Sequence, residues 1–304
     1  MSNLKEQVET MIAASAAMLM AVSVKHLEGG EEFHIAGDSP VPLCSVVKIP
    51  VLAEAFRQMA EGKFTLEDRW ELTLGEKNLP SGVLVFFQDG LLLTVRDLLT
   101  MMIIISDNTA TDMVLHRLGT PAVQSYMHTL GLTNTHIVMT IREIFEDILP
   151  SADPRQVLEK LDKPPQDKGK VQRDGRAYSL GRNNNVGTTR DMNHLLELIW
   201  RGEVVDRAAC DQMLHILLQQ QYDTRLPRFL PSGTPIAHKT GTLEGIRNDA
   251  GILYCNEKSH VAVSVYSTWD AASVKDDPVL NWERMTAIDA SMGHIGRAVY
   301  DHFK

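Results

Sequence analysis

Ile236-Ala237-His238-Lys239-Thr240, Ala250-Gly251-Ile252-Leu253-Tyr254-Cys255 and Val261-Ala262-Val263-Ser264-Val265-Tyr266-Ser267 are short apolar segments separated by turn residues, and read as three successive strands. The same pattern occurs elsewhere only near the start, where Met18 to Val24 and Glu32 to Ile35 flank the Gly29-Gly30 turn. A helix over residues 3–16, with Leu4, Val8, Met11 and Ile12 at helical spacing, precedes that hairpin, and a last helix follows Pro278 to about His302. The stretches between are helical: Val46 to Glu61, Val95 to Ile104, Ala110 to Leu118, Pro121 to Leu130, Thr189 to Arg201 and Ala208 to Gln219, each bounded by Gly, Pro, Asn or Asp. The expected fold is therefore α+β. An antiparallel sheet of about five strands comes from both chain ends, is flanked by the N- and C-terminal helices, and has an all-helical lobe inserted. The expected division puts residues 1–44 with 233–304 in an α/β lobe and 45–232 in the helical lobe, with a cleft where the chain crosses between them. Residues from about 150 to 187, rich in Pro, Gly and charges of both signs, read as a long loop with one short helix near Arg155 to Leu161.

Composition narrows the function classes. The 304 residues carry 30 Lys+Arg against 39 Asp+Glu, a formal charge of −9, and no basic, aromatic stripe, so a nucleic-acid partner is not expected. Cys44, Cys210 and Cys255 are widely spaced and odd in number; they suit small buried hydrophobes better than a disulfide framework or a zinc site. The 11 histidines show no ligand spacing, and no metal or other cofactor is expected. Met11 to Val24 is too short for a bilayer span of about 20 residues. It also lacks the order of a secretory leader, because Glu6 and Glu9 precede it and its small residues come before its most apolar part. The expectation is a cytoplasmic protein, or a secreted or periplasmic one whose leader was removed, with no membrane partner.

Three motifs carry chemistry. Ser45-Val46-Val47-Lys48 opens the first long helix, and a spacing of three puts hydroxyl and amine on one face of its first turn. A lysine can take a serine proton only if burial or another cation keeps it neutral. Ser2-Asn3-Leu4-Lys5 matches the same pattern, and a helix cap is the other reading of such a serine. Ser106-Asp107-Asn108 sits between two helices, where it also reads as an N-cap. Lys239-Thr240-Gly241-Thr242 lies on a strand, and alternation sends Lys239 and Gly241 to one face and His238, Thr240 and Thr242 to the other. Lys239 could anchor a substrate carboxylate and supply the cation that Lys48 needs, while Gly241 lets a substrate backbone lie against the strand; a strand ending in a turn is the other reading.

In the order Ser-x-x-Lys, Ser-Asp-Asn, Lys-Thr-Gly, on helix start, interhelical loop and strand, these motifs form a known set. On them the sequence resembles the class A β-lactamase-like serine hydrolases of the β-lactamase and penicillin-binding protein superfamily. The resemblance spans nearly the whole chain, including Ile49-Pro50-Val51-Leu52, the Leu79-Pro80-Ser81-Gly82 turn, Thr188-Thr189-Arg190-Asp191-Met192 and Arg247-Asn248-Asp249-Ala250-Gly251. It implies Ser45 as acylated nucleophile, Lys48 as base or relay, and Ser106 as the donor of a proton to the leaving nitrogen. Asn108, Lys239, Thr240, Gly241 and Thr242 would bind substrate, Asn108 through its side-chain amide and Lys239 with Thr242 through its carboxylate. The backbone N–H groups of Ser45 and Thr242 would form an oxyanion hole, in which each such donor is typically worth about 3 kcal/mol in rate.

The departure from the family concerns deacylation. Where the family carries Glu-x-x-Leu-Asn, the nearest match is Glu146-Asp147-Ile148-Leu149-Pro150, with proline in place of asparagine and Glu143 as a competitor. Glu146 is the first candidate for the water-activating carboxylate, Glu143 the second, and the third alternative is that the chain carries no such glutamate. These acids also lack the second carboxylate cluster of a glycosidase. The expected activity is a Ser45 acyl-enzyme serine hydrolase opening the β-lactam amide. A D-alanyl peptidase or small-molecule esterase or amidase of the same fold is the alternative, and an acylated sensor without turnover comes last. The expected partner is a small β-lactam, ester or amide, and the expected state a monomer or weak dimer.

Overall fold

The computed structural model describes residues 1–79, 81–149, 172–274 and 277–304; the short helix expected near Arg155–Leu161 lies outside them. The strands are β1 (Leu19–His26), β2 (Glu32–Ile35), β3 (Val41–Pro42), β4 (Arg69–Glu71), β5 (Leu92–Thr94), β6 (Val186–Gly187), β7 (Ile236–Leu243), β8 (Ile246–Asn256) and β9 (Ser259–Thr268). Five of them make one antiparallel sheet in the order β2-β1-β9-β8-β7, as the two terminal strand clusters require. Its register pairs Ser23 with Ser264, Gly251 with Val263 and Lys239 with Ala250. The remaining strands form two small pairs, β3 with β6 and β4 with β5, each too short to leave a periodic trace in the sequence.

The helices are α1 (Ser2–Ala13), α2 (Lys48–Ala60), α3 (Val95–Ile104), α4 (Asn108–Leu118), α5 (Thr120–Thr129), α6 (Ile141–Ile148), α7 (Thr189–Arg201), α8 (Arg207–Leu217) and α9 (Pro278–Phe303). Strand alternation divides the apolar side chains between two cores. Val261, Val263 and Val265 of β9 join Val22 and Val24 of β1 against Leu4 and Val8 of α1 and Ile288, Met292, Ile295 and Val299 of α9. On the opposite face Ala237, Ala250, Ile252, Ala262 and Tyr266 meet the buried faces of α2, α3, α4, α7 and α8.

Two local arrangements leave the motif side chains free for other contacts. The chain enters α2 through a 3-10 turn, Cys44–Val47, and neither helix start is capped by a side chain, so the Ser45 hydroxyl is not used as a cap. Pro50 is the third residue of α2, in the first turn, where an amide has no acceptor within the α-helix; the break that a proline would cause deeper in a helix does not arise. Before α4 the cap is Asp107, which accepts from Ala110 N at 2.9 Å, so Ser106 and Asn108 on either side of it are not needed for capping.

Candidate active site

β7 is an edge strand of the sheet, and its free edge lies against the 3-10 turn that carries Ser45. The approach is close: a Cβ on Gly241 would stand 2.7 Å from Leu43 O and 3.1 Å from Val46 N. Asn248 on β8 fastens the same corner, donating to Pro42 O at 2.9 Å and Leu43 O at 3.2 Å. Because the strand is at the edge, residues from both of its faces reach the site. Thr240 and Thr242 line the cleft, while Lys239, on the other face, reaches Ser106. His238 pairs with Asp249, Nδ1 to Oδ1 at 2.9 Å, in the interior.

The cleft holds about 460 Å³ and is bordered by Ser45, Ser106, Asn108, Thr240 and Thr242. Ser45 is half-buried. Three residues on, Lys48 Nζ donates to Ser106 O at 2.7 Å, Asn108 Oδ1 at 2.9 Å and Ser106 Oγ at 3.0 Å. Lys239 Nζ donates to the same Oγ at 3.0 Å and to Thr240 O at 2.7 Å. One hydroxyl thus sits between two amines, both fully buried. Burial lowers Lys48 to about 7 against the opposing pull of Asp107 and Asp112. Lys239 is held well below its ordinary value by burial first, then by the charges of Lys48 and Arg225, with Asp249 opposing.

Ser106 and Cys44, the residue before Ser45, both have left-handed backbones, with φ of 57° and 50°. Such conformations cost about 1–3 kcal/mol in a non-glycine residue and persist only where surrounding contacts impose them. Here those contacts are visible for Ser106. Ser81 Oγ donates to Ser106 O at 2.8 Å, Asn108 N to Ser81 O at 3.1 Å, and Asn108 Nδ2 to Leu79 O at 3.0 Å. Asp107 Oδ2 accepts from Val83 N and Leu84 N at 2.6 and 2.9 Å. Gly82 makes this fit possible, since a Cβ there would lie 2.4 Å from Asp107 Cα. The Cys44 thiol is raised to about 12 by burial, and all three cysteines are buried and free.

Known proteins are similar to this chain in sequence and fold. The beta-lactamase enzyme family model matches residues 3–303. The chain belongs to the beta-lactamase enzyme family. It is 24% identical to beta-lactamase VEB-1 of Pseudomonas aeruginosa over 277 residues, which is 87% of this chain and 82% of that one. Among solved structures, the beta-lactamase of Sphaerobacter thermophilus superposes with a TM-score of 0.76 at 25% identity, covering 99% of this chain and 97% of its own. PBP-A superposes at 0.77 with 22% identity, covering 99% and 96%. This member of the family is a β-lactamase-like serine hydrolase, with the family's sheet and helices.

Two features of this beta-lactamase family member differ from what the motifs alone suggest. Glu146 and Glu143 are not brought to the cleft. α6 has an apolar stripe, and Ile141, Ile144 and Phe145 are its residues at the cleft wall, so the two glutamates fall on its exposed side. Glu143 closes a capping box with Thr140, its Oε2 accepting from Thr140 N at 2.7 Å. The second feature is Arg225, which no motif marks. Its side chain is buried beside β7 and donates to Gly241 O at 2.9 Å, Asn248 O at 2.6 Å and Thr242 Oγ1 at 2.6 Å, with Asp289 at 3.1 Å holding Nε. It adds a cation at the Thr242 end of the cleft. Among the described residues no group of His, Cys, Asp and Glu is arranged to hold a metal, and no helix is long and apolar enough to cross a membrane.

Proposed function

We propose that this protein opens the β-lactam amide through an acyl-enzyme on Ser45. The observation that carries the reading is the Ser106 hydroxyl, 3.0 Å from both Lys48 Nζ and Lys239 Nζ beside Ser45 in one cleft. Both amines donate to Ser106 Oγ, so its own proton is available to a group in the cleft. Neutral Lys48 takes the Ser45 proton as Oγ bonds to the carbonyl carbon, and the N–H groups of Ser45 and Thr242 receive the oxyanion. The C–N bond then breaks as Ser106 protonates the leaving nitrogen and recovers a proton from Lys48. The ester on Ser45 remains, with Lys48 neutral again. Lys239, Thr242 and Arg225 attract the substrate carboxylate, and Asn108 its side-chain amide. A PBP-A mutant, 21% identical and of the same fold with a TM-score of 0.76, was solved as an acyl-enzyme with penicillin-G.

One observation favours a second reading, in which release of the acyl group is slow and the natural substrate is a D-alanyl peptide or small ester. Among the described residues that line the cleft there is no carboxylate, and α6 contributes Ile141, Ile144 and Phe145. Deacylation then relies on Lys48 as base toward water, and Glu146 is not assigned that part. The test for both readings is intact-mass spectrometry over time with benzylpenicillin, alongside Ser45→Ala. A Ser45-dependent adduct of the full penicillin mass that decays as hydrolysed product accumulates supports the β-lactamase reading. A persistent adduct supports the second. Neither adduct nor hydrolysis, or turnover unchanged in Ser45→Ala, overturns the acyl-enzyme.

A further inference from the structure

α3 ends two residues before Ser106. The last carbonyls of an α-helix have no amide partner further along it, and three consecutive residues of a distant loop donate to three consecutive carbonyls here. Gln220 Nε2 donates to Ile103 O at 2.9 Å, Gln221 N to Ile104 O at 3.1 Å, and the Tyr222 hydroxyl to Ile105 O at 3.1 Å. Gln220 is half-buried and is the centre of this contact. Its Oε1 accepts from Gln221 N at 2.9 Å and from Tyr222 N at 3.1 Å, so one side-chain amide both shapes the loop and fastens it to the helix. The orientation of that amide follows from its partners, since its oxygen meets two N–H groups and its nitrogen a carbonyl.

The same loop is fastened again at β7. Arg225 donates to Gly241 O at 2.9 Å and to Thr242 Oγ1 at 2.6 Å, and between the two fastenings Tyr222 and Thr224 line the cleft. Residues 220–225 thus join the end of α3 to the strand that carries Lys239. Ser106 stands where that join matters. Its backbone is left-handed, with φ of 57°, a conformation that persists only where neighbours impose it, and its hydroxyl lies 3.0 Å from both Lys48 Nζ and Lys239 Nζ. Ser81 holds Ser106 from one side through its carbonyl; the loop holds the three residues that lead into it. We propose that Gln220 is a positioning residue for Ser106: it braces the end of α3 so that the hydroxyl keeps its place between the two lysines while the leaving nitrogen is protonated. The proposal rests on the acyl-enzyme reading given above.

The test times Ser45 acylation by benzylpenicillin on the full chain, by rapid-quench intact-mass spectrometry over a range of concentrations. Gln220→Leu keeps most of the side-chain bulk and loses both hydrogen-bonding groups. It is expected to lower the limiting rate roughly tenfold, since a misplacement of about 1 Å near a reacting centre can cost about 10², while the half-saturating concentration stays the same. Tyr222→Phe keeps the ring in the cleft wall and loses only the bond to Ile105 O, so its limiting rate should fall by a smaller factor. In a Ser106→Ala background Gln220→Leu should have no further effect, because the group it positions is gone. A glutamine that merely stabilises the fold would lower the rate by the same factor in both backgrounds. That result, or an unchanged limiting rate in Gln220→Leu, overturns the positioning role and leaves the acyl-enzyme standing. An unsubstituted chain that forms no Ser45 adduct overturns the acyl-enzyme reading itself, and the positioning role with it.

Discussion

Lys48 is chemically useful because the fold keeps it dry. An ordinary lysine near neutral pH is almost wholly protonated and cannot act as a base, whereas burial holds this one at about 7, with Asp107 and Asp112 preventing a larger fall. The sign of the resulting pH dependence is set by which form reacts. In the proposed mechanism the neutral amine is the base, and its fraction grows tenfold per pH unit below the pKa and saturates above it. Ser45 acylation by benzylpenicillin should therefore rise with pH up to about 7 and then level off, as measured by adduct formation in rapid-quench mass spectrometry. Lys48→Arg, which cannot lose its proton, should lower the plateau by about 10²–10⁴, the usual range for general-base catalysis. A profile that is flat from pH 5 to 9 would remove Lys48 as the base.

At the scale of elements, α6 places an apolar wall on the cleft, and one side chain from another helix, beside the capping box of Thr140 and Glu143, holds its first turn. Asp112 of α4 is fully buried, accepts from Ile141 N and Arg142 N at 2.8 Å each, and accepts from Asn78 Nδ2 at 2.7 Å. Since Asn108 lies one turn earlier on α4, this carboxylate ties the cleft wall formed by α6 to the helix that bears another cleft-lining side chain. Asp112→Ala leaves three donors without an acceptor, at about 1–3 kcal/mol each before relaxation. The expected result is a loss of roughly 3 kcal/mol or more in unfolding free energy, with amide exchange at residues 141–148 accelerated more than in α3. Equal acceleration in both helices would mean that Asp112 does not anchor α6 in particular. Periodicity in the sequence runs out at this same element. The five sheet strands and the long helices carry enough turns or alternations to display a period. α6 has only eight residues beside a stretch rich in Pro and Gly, although Thr140 and Glu143 spelled a capping box and Ile141, Ile144, Phe145 and Ile148 an apolar stripe. Those two signals also indicated that Glu143 and Glu146 face outward. Ser45, Lys48, Ser106 and Lys239 were legible because each belongs to a short contiguous motif. Arg225 was not, because its place depends on the packing of a loop against the edge of β7, and spacing along the chain does not encode that.

For the whole molecule, the sheet is a shared wall. β9 is its middle strand, and alternate residues enter different cores: Val261, Val263 and Val265 face α1 and α9, while Ala262 and Tyr266 face the helices around the cleft. Neither core can lose its side of the sheet without removing the support of the other, so the two should melt together even though the chain is long enough for separate domains. Leu99→Ala, in α3, and Ile295→Ala, in α9, test this. Both residues are fully buried, and each truncation should cost about 2–5 kcal/mol, depending on how far its cavity collapses. Calorimetry should show one transition, displaced downward by either variant. The same coupling ties catalysis to the remote face: Lys239 and Gly241 are held by the register of β7 on β8, which is in turn held by β9. Ile295→Ala should then lower the temperature at which acylation of Ser45 is lost by the same amount as it lowers the melting temperature. Two transitions, with each variant moving a different one, would show that the cleft and the terminal helices are stabilised independently.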